Sequence, residues 1–262
     1  MNFSGIRSST SVGKILRWPL RLVPSQAQVR VLQGPLRGKK WIAGSCTHGC
    51  WLGSYEYEKQ LAFCRELRKG AVVYDLGAHV GFYSLLASTL AGKEGLVFSF
   101  EPALRNLEFL RKHLELNGIS NCRIFEAAVS SVDGFAAFDP GPGHSQGHVV
   151  DGEARHTARV QTIKLDTLVF SQKLPPPDLV KCDIEGGEYE ALKGGEAMLE
   201  RFSPLIFLAT HGEEVHTRCC QMLRRLGYDL TPLDSPSLSN AREIIARHPR
   251  SLSRALPRNS GT

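Results

Sequence analysis

Val72-Val73-Tyr74-Asp75-Leu76-Gly77-Ala78-His79-Val80-Gly81-Phe82-Tyr83 is the stretch whose reading decides the fold. An apolar run closes on an acid, a turn with two glycines follows, and Phe82-Tyr83-Ser84-Leu85-Leu86-Ala87 opens a buried helix. Strand, glycine turn and helix in that order form a nucleotide-binding corner of an open α/β sheet. Gly77 has no Cβ, so the backbone can turn sharply and a ligand can approach. Gly81 allows the helix to pack tightly on its strand, and Asp75, at the carboxyl end of the strand, is expected to point into the binding crevice. The dinucleotide fingerprint G-x-G-x-x-G is not met, because Ala78 stands where its second glycine would bare the backbone to a pyrophosphate.

Acid-x-Gly-Ala-x-x-Gly at a strand end resembles the first motif of S-adenosylmethionine-dependent methyltransferases, where the acid sits near the cationic amino-acid end of the cofactor. An ordinary strand–helix corner of another α/β protein has the same form. Leu96-Val97-Phe98-Ser99-Phe100-Glu101-Pro102 reads as the next strand, and Glu101 lies 20 residues after Gly81. That is the interval at which an acid takes both ribose hydroxyls of a nucleotide. An acid there also suits the N-terminus of the next helix.

Residues 71–135 alternate strand, helix, strand, helix, strand. Leu104, Leu107, Leu110 and Leu114 mark a helix that Asn117-Gly118 ends. Arg123–Val129 reads as a third strand whose end, Ala127-Ala128, leaves room for an adenine ring, making Ala128 a cofactor contact. Phe135–Phe138 is a short strand. Gly141 opens a flexible loop reaching to about Arg159, long enough to act as a lid over the acceptor. Before the first motif, Trp51–Glu58 leads into a helix to Arg68, with Leu61, Phe63, Cys64 and Leu67 as its expected inner face. It would pack beside the sheet and could cover the cofactor pocket.

The second informative stretch is Leu179-Val180-Lys181-Cys182-Asp183-Ile184-Glu185-Gly186-Gly187-Glu188. It reads as a central strand ending on Asp183, a tight turn, and a helix to about Arg201. Strand alternation places Asp183 and Glu185 on one side, at the carboxyl edge beside the first motif. Carboxylates there can activate a hydroxyl, hold a cation or grip an amino group, whereas Glu188 reads as helix-dipole compensation. Pro204–Thr210 is a buried strand ending at His211, a candidate general base. Asp183, Glu185 and His211 are therefore the catalytic candidates. A helix over 213–226 follows, and Arg242–Arg247 is expected to close the sheet.

At 262 residues and 42% hydrophobic content the chain suits one domain with extensions. The net charge of +6 lies at the ends: residues 1–40 carry eight basic residues and no acid, residues 241–262 carry +4, and 41–240 is left at −6. A nucleic-acid domain would carry its positive charge on the folded body, so no nucleic-acid partner is expected. The ends read as solvated arms, with weak contact to an anionic membrane surface open to them. No apolar run is long enough to span a bilayer, and an interrupted early run gives no secretory signal, so a cytoplasmic location is expected, with an organelle-targeted N-terminus as the alternative. The seven cysteines, odd in number and scattered, fit a reducing compartment. Cys46-Thr47-His48-Gly49-Cys50 has no second ligand pair at finger spacing, and no metal is expected.

Together these residues resemble the FkbM-type methyltransferase family, over roughly residues 70–235. The match runs through Val73–Tyr83, Phe100-Glu101-Pro102, Asn117-Gly118, Ala128-Val129-Ser130, Gly134, Leu165-Asp166 and, most specifically, Lys181-Cys182-Asp183-Ile184-Glu185-Gly186-Gly187-Glu188. His79 stands where Asn is usual and Gly187 where Ala is common. Gly34–Trp41 and Trp51–Glu56 look like a subgroup with an N-terminal extension. The resemblance implies a Rossmann-like α/β class I methyltransferase sheet of seven mostly parallel strands, one antiparallel near the edge, with helices on both faces. It implies S-adenosyl-L-methionine as donor and methyl transfer to oxygen on a sugar, glycan or natural-product hydroxyl. The cofactor-binding residues are then expected to be Asp75, Gly77, Ala78, His79, Gly81, Glu101 and Ala128. The expected division is a basic extension 1–40, a packing segment 41–70, the methyltransferase domain 71–247 and a basic tail 248–262. A silent binding or scaffold protein on the same fold is the alternative. A nicotinamide oxidoreductase lacks its second turn glycine here, and a nucleic-acid methyltransferase lacks an Asn/Asp-Pro-Pro-aromatic string. Neither the acceptor nor the oligomeric state follows from these residues.

Overall fold

A computed structural model describes residues 20, 22–139, 141, 147–150 and 157–253. Half of the expected basic N-terminal extension (1–19 and 21), the end of the C-terminal tail, and parts of the expected lid loop (142–146 and 151–156) lie outside the described residues.

In chain order, a hairpin of β1 (Gln28–Arg30) and β2 (Lys40–Ile42) precedes two short helices, α1 (His48–Leu52) and α2 (Tyr57–Glu66). Then come β3 (Val72–Leu76), α3 (Phe82–Ala91), β4 (Leu96–Phe100), α4 (Leu104–Leu116), β5 (Cys122–Phe125), β6 (Ala127–Val129), β7 (Gly134–Asp139), β8 (His148–Val150) and β9 (Ala158–Ile163). The last part holds β10 (Leu179–Cys182), α5 (Glu188–Lys193), α6 (Glu196–Phe202), β11 (Leu205–Ala209), α7 (Glu213–Arg225), β12 (Asp229–Pro232), β13 (Glu243–Arg247) and α8 (Pro249–Ser253).

Seven strands form one sheet in the order β12-β13-β11-β10-β3-β4-β5. β10 pairs in parallel with β11 and β3, β3 with β4, and β4 with β5, whereas β13 runs antiparallel to both its neighbours. This is the class I methyltransferase sheet that the resemblance implies. The strand order reverses at β3/β10, so the turns after those two strands flank the switch point where open α/β sheets bind ligands.

Alternation along the buried strands sends residues to opposite faces. Tyr74, Leu76, Val180, Cys182, Ile206 and Leu208 pack with Leu192, Met198, Leu199, Cys219 and Leu223 of α5, α6 and α7. Val73, Val97, Leu179, Phe207 and Ile245 pack on the other face with Phe63, Leu85 and Leu86 from α2 and α3, and with Trp41 and Trp51. A fully buried side chain of this size contributes about 1.5–3 kcal/mol. The N-terminal segment is also strapped down by polar contacts. Neutral His113, whose pKa burial pushes down to about 4, donates from Nδ1 to Val80 O (2.7 Å) and accepts the Ile42 N–H at Nε2 (3.1 Å). Trp41 stacks on its ring at 3.7 Å.

Expectations need correction at several points. The strand expected over 123–129 breaks at Glu126, where the chain leaves the large sheet: β6 joins a second, four-stranded sheet in the order β6-β9-β7-β8. Part of the expected lid loop is therefore strand, since β8 pairs antiparallel with β7. The expected closing strand is present as β13, which inserts antiparallel between β11 and β12. The helix expected to run to Arg68 is α2, and Gly53 ends the separate α1 before it in the left-handed region. Its expected inner face is corrected: α2 buries Lys59 and Gln60 beside Ala62 and Phe63, while Leu61 and Cys64 are only half-buried. The helix expected up to Arg201 breaks at Gly194-Gly195, where a Cβ on Gly194 would lie 2.0 Å from Ser130 O.

Candidate active site

Two tight turns meet at the carboxyl edge of the sheet. After β3, Gly77 adopts φ 74° and donates its N–H to Phe100 O at 3.0 Å. A Cβ on Gly77 would lie 2.0 Å from the carbonyl oxygen of Asp183, so only glycine lets this turn close on the one after β10. Gly81 (φ 91°) caps α3, and a Cβ there would strike Leu110 of α4 at 2.5 Å, so the close approach is to the neighbouring helix and not to the strand as expected.

A cavity of about 1310 Å³ opens over these turns. Gly77, Ala78, His79, Glu101 and Ala128 line one part, and Asp183, Glu185 and His211 line another. Gly81 and Asp75 are not on its wall. The expectation that Asp75 points into the crevice is corrected by strand alternation: Asp75 shares a face with Val73, toward α3. It is 1% exposed, accepts from Ser84 Oγ (2.6 Å) and lies 3.3 Å from Nζ of Lys181, its register partner on β10. Lys181 is the group that reaches the wall, donating to Gly77 O at 2.8 Å. Asp75 thus acts on the site through Lys181.

Glu101 follows β4 and is 5% exposed. Its Oε2 accepts the His79 N–H (2.8 Å), and its Oε1 accepts the Ala103 N–H (2.9 Å) and Asn106 Nδ2 (3.2 Å). Burial raises its pKa against those hydrogen bonds. A carboxylate has about four acceptor positions, so three bonds leave it capacity for a ligand hydroxyl. His79 sits in the left-handed region (φ 52°), which turns its N–H onto Glu101. Its ring lies by Cys46. A hydrogen bond from the Cys50 thiol, together with His79, outweighs burial and holds the Cys46 pKa down at about 5.

Asp183 and Glu185 do converge, through a turn and not by strand alternation: β10 ends at Cys182, and Glu185 takes φ 55°. His211 Nε2 lies 3.5 Å from Glu185 Oε2 and 3.9 Å from Asp183 Oδ1. Glu188, fully buried in the first turn of α5, accepts the Ile184 and Gly186 N–H groups (3.2 and 3.0 Å) and pairs with His211 Nδ1 at 2.9 Å. Its dipole position is as expected, and its grip on His211 is an addition. That hydrogen bond raises the His211 pKa, with burial opposing. For Asp183 burial acts upward, but Lys181, Lys59 and His211 prevail and hold it at about 2.

Sequence reasoning missed Lys59, Glu56 and Glu243. The Lys59 ammonium, on α2 and 5% exposed, lies 2.8 Å from Glu243 Oε2, 3.3 Å from Glu56 Oε2 and 3.5 Å from Asp183 Oδ2. Burial alone would lower its pKa, but the three carboxylates raise it and keep it charged. One ammonium among three carboxylates cannot compensate all of them, and burial pushes Glu243 up to about 7. Glu56, three residues earlier, is its one local partner and reads as an ordinary helix-surface pair, while Glu243 and Asp183 lie 184 and 124 residues away. Lys181 did carry a signal: a lysine between Val180 and Cys182 in a strand buried throughout needs a partner.

A family model for the methyltransferase FkbM domain matches residues 75–230. The chain belongs to the FkbM methyltransferase family. Over 130 residues it is 33% identical to the hexuronic acid methyltransferase AglP of Haloferax volcanii, covering 49% of this chain and 52% of that one. The chain thus spans about half the length of the curated relative it matches. Among solved structures, it is similar to the methyltransferase FkbM of Methylobacillus flagellatus (18% identity, TM-score 0.49, 68% of this chain and 43% of that one). It is also similar to a precorrin-6y C5,15-methyltransferase of Geobacter metallireducens (19% identity, TM-score 0.47, 73% and 88%). No helix among the described residues is long and apolar enough to cross a membrane.

Proposed function

We propose that this chain is an S-adenosylmethionine-dependent O-methyltransferase acting on a sugar hydroxyl. The observation that carries the reading is the meeting, on one cavity wall, of the Gly77–His79 turn and Glu101 with the Asp183, Glu185 and His211 cluster. The wall fits the cofactor's charge. Seven carboxylate side chains face three from lysine and arginine, which favours a ligand bearing a sulfonium and an ammonium. Glu101 would hold the ribose hydroxyls, the small side chains of Ala127 and Ala128 leave room for a flat ring, and Gly77, Ala78 and His79 would border it.

When bound, S-adenosylmethionine supplies a methyl group already activated on sulfur. The chain's remaining work is to align an acceptor oxygen and to accept its proton. Asp183, Glu185 and His211 are placed to do both. The sugar acceptor is supported by the relative named for hexuronic acid methylation. Arg218 and Arg242, on the same wall, offer cations to a sugar carboxylate.

Calorimetric titration with S-adenosylmethionine and its demethylated product, beside Glu101→Ala, tests the cofactor half. Saturable binding that Glu101→Ala weakens at least tenfold is expected. Radiolabelled methyl transfer to a panel of hexuronic-acid and neutral glycans, beside Asp183→Asn, tests the acceptor half. A folded protein that binds neither cofactor form would overturn the reading in favour of a silent scaffold. Full transfer activity in Asp183→Asn would remove the cluster from the reaction.

A further inference from the structure

The cavity wall holds two groups of three potential ligand atoms. Glu56, Asp183 and Glu243 form one, and Asp183, Glu185 and His211 form the other, with the donor atoms of each within 4.8 Å of one another. The two differ in what they enclose. The first is already filled by a cation of the chain, since the Lys59 ammonium lies 2.8–3.5 Å from all three of its members. Among the described residues, the second encloses no lysine or arginine. Asp183 joins the two, giving Oδ2 to Lys59 and Oδ1 to the second group.

We infer that Asp183 Oδ1, Glu185 Oε2 and His211 Nε2 form a binding site for one divalent cation on the acceptor side of the cavity. This deepens the methyltransferase reading and rests on it for the cation's use, though not for its binding.

Three features of the geometry support the site. First, Nε2 stands 3.5 and 3.9 Å from the two carboxylate oxygens. These separations exceed a good N–H···O hydrogen bond. Ligand atoms around one small divalent ion, each at about 2.0–2.2 Å from it, stand roughly 3.0–3.5 Å apart. All three donors lie within 4.8 Å of one another, and a contraction of about half an ångström would bring Nε2 to that ion-bound spacing from both oxygens. Second, His211 is oriented as metal-bound imidazoles are, with its other nitrogen on a carboxylate. Glu188, 0% exposed and outside the group of three, accepts from Nδ1 at 2.9 Å, which leaves the Nε2 lone pair for the cavity. Glu188 is itself pinned by two backbone N–H groups, so the ring's orientation is built into the turn. Third, the charge is only partly compensated. Lys59 and Lys181 offset Asp183, but among the described residues Glu185 and Glu188 have no lysine or arginine at ion-pair distance and share one imidazole, and the Glu188 Oε2 atom is buried without a hydrogen-bond partner.

Two carboxylate oxygens and one imidazole, with the remaining positions open to the cavity, suit an ion of intermediate hardness such as Mn²⁺. There it would take an oxygen of the sugar, so that recognition and alignment of the acceptor share one point.

The test is Mn²⁺ binding to the full chain at neutral pH, followed by loss of the free-ion electron paramagnetic resonance signal, with no acceptor present. Wild type should bind one Mn²⁺ per chain. His211→Ala and Glu185→Gln should each weaken it at least tenfold. Glu188→Gln, which touches only the far side of the ring, should weaken it about 10–100-fold. Glu101→Gln, on the cofactor part of the wall, should leave it unchanged. Thermal melts of each variant separate loss of the site from loss of the fold. Absence of binding by folded wild type at millimolar Mn²⁺ overturns the inference. So does binding that His211→Ala and Glu185→Gln leave intact, which would place the ion elsewhere. Titration of the same samples with S-adenosylmethionine keeps the two failures apart: cofactor binding without Mn²⁺ binding rejects only the cation site, and the converse rejects only the cofactor reading.

Discussion

Lys59→Met should unfold the protein far more readily than any loss of packing would, since methionine keeps most of the aliphatic stem. The wild-type ammonium is 2.8, 3.3 and 3.5 Å from Glu243, Glu56 and Asp183. At an effective dielectric of about 20, each such contact is worth roughly 5 kcal/mol before desolvation is subtracted. Desolvation removes most of that sum, so the pairing itself is a weak net contributor. Deleting only the cation is different, because the carboxylates stay buried without it. Removal of one partner from such a group costs about 3–5 kcal/mol. With a urea dependence of about 3 kcal/mol per molar, the midpoint falls by roughly 1–1.7 M. Equilibrium urea unfolding at pH 7, followed by tryptophan fluorescence, measures this directly. The double variant Lys59→Met/Glu243→Gln removes the nearest carboxylate charge together with its partner and should recover at least about 1 kcal/mol over the single variant. A loss below about 1 kcal/mol in Lys59→Met would refute the reasoning. A double variant less stable than the single one would refute it too.

Gly77→Ala combines a left-handed backbone with a Cβ placed 2.0 Å from Asp183 O, whereas Gly70→Ala has nearly the same φ (76°) and nothing within 4 Å. The expected costs are about 1–2 kcal/mol for Gly70→Ala and roughly 2 kcal/mol more for Gly77→Ala; equal melting temperatures would show that the two turns are not in contact. Cys46, held at about 5 by Cys50 and His79, should alkylate as a thiolate, with a rate that is flat between pH 6.5 and 8. The Cys64 rate, raised in pKa by burial, should climb with pH over the same range, and peptide mass mapping after iodoacetamide pulses distinguishes the two. A tenfold rise per pH unit at Cys46 would contradict the assigned thiolate.

The strand–turn–helix corner, the second acid after β4 and the Asp183 turn could be read locally because each is a short motif whose chemistry lies within a dozen residues. Their meeting on one cavity could be read as well, since parallel strands bring their carboxyl ends to one edge. Where the reading went astray, a local rule met a tertiary constraint. Asp75 has the right type and position for a ligand contact, but its direction is set by which face of β3 meets α3, and Lys181 in register beside it captures the carboxylate. Glu185 was placed by strand alternation, yet a left-handed residue brings it to His211. Glu188 looked like a helix-dipole residue because that role is visible in one dimension. Its hold on His211, across 23 residues, is not.

The matched span of residues 75–230 does not contain all of the site. Lys59 and Glu56 come from before it, and Glu243 comes from after it. The sheet argues the same way. β12 pairs only with β13 among the described residues, and β13, outside the matched span, carries Ile244, Ile245 and Ala246, all at most 2% exposed. Without β13 the edge of β11 would be bare and β12 would have no partner in the sheet. Glu243 also opens β13, so the strand that completes the sheet delivers the carboxylate that anchors Lys59. Lys59 in turn faces Asp183, one residue beyond β10. Sheet closure and the charge around Asp183 in the cavity are therefore one structural event. A change that loosens β13 should be felt at Asp183 before it is felt at Glu101, whose hydrogen-bond partners are His79, Ala103 and Asn106 on the far side of β3.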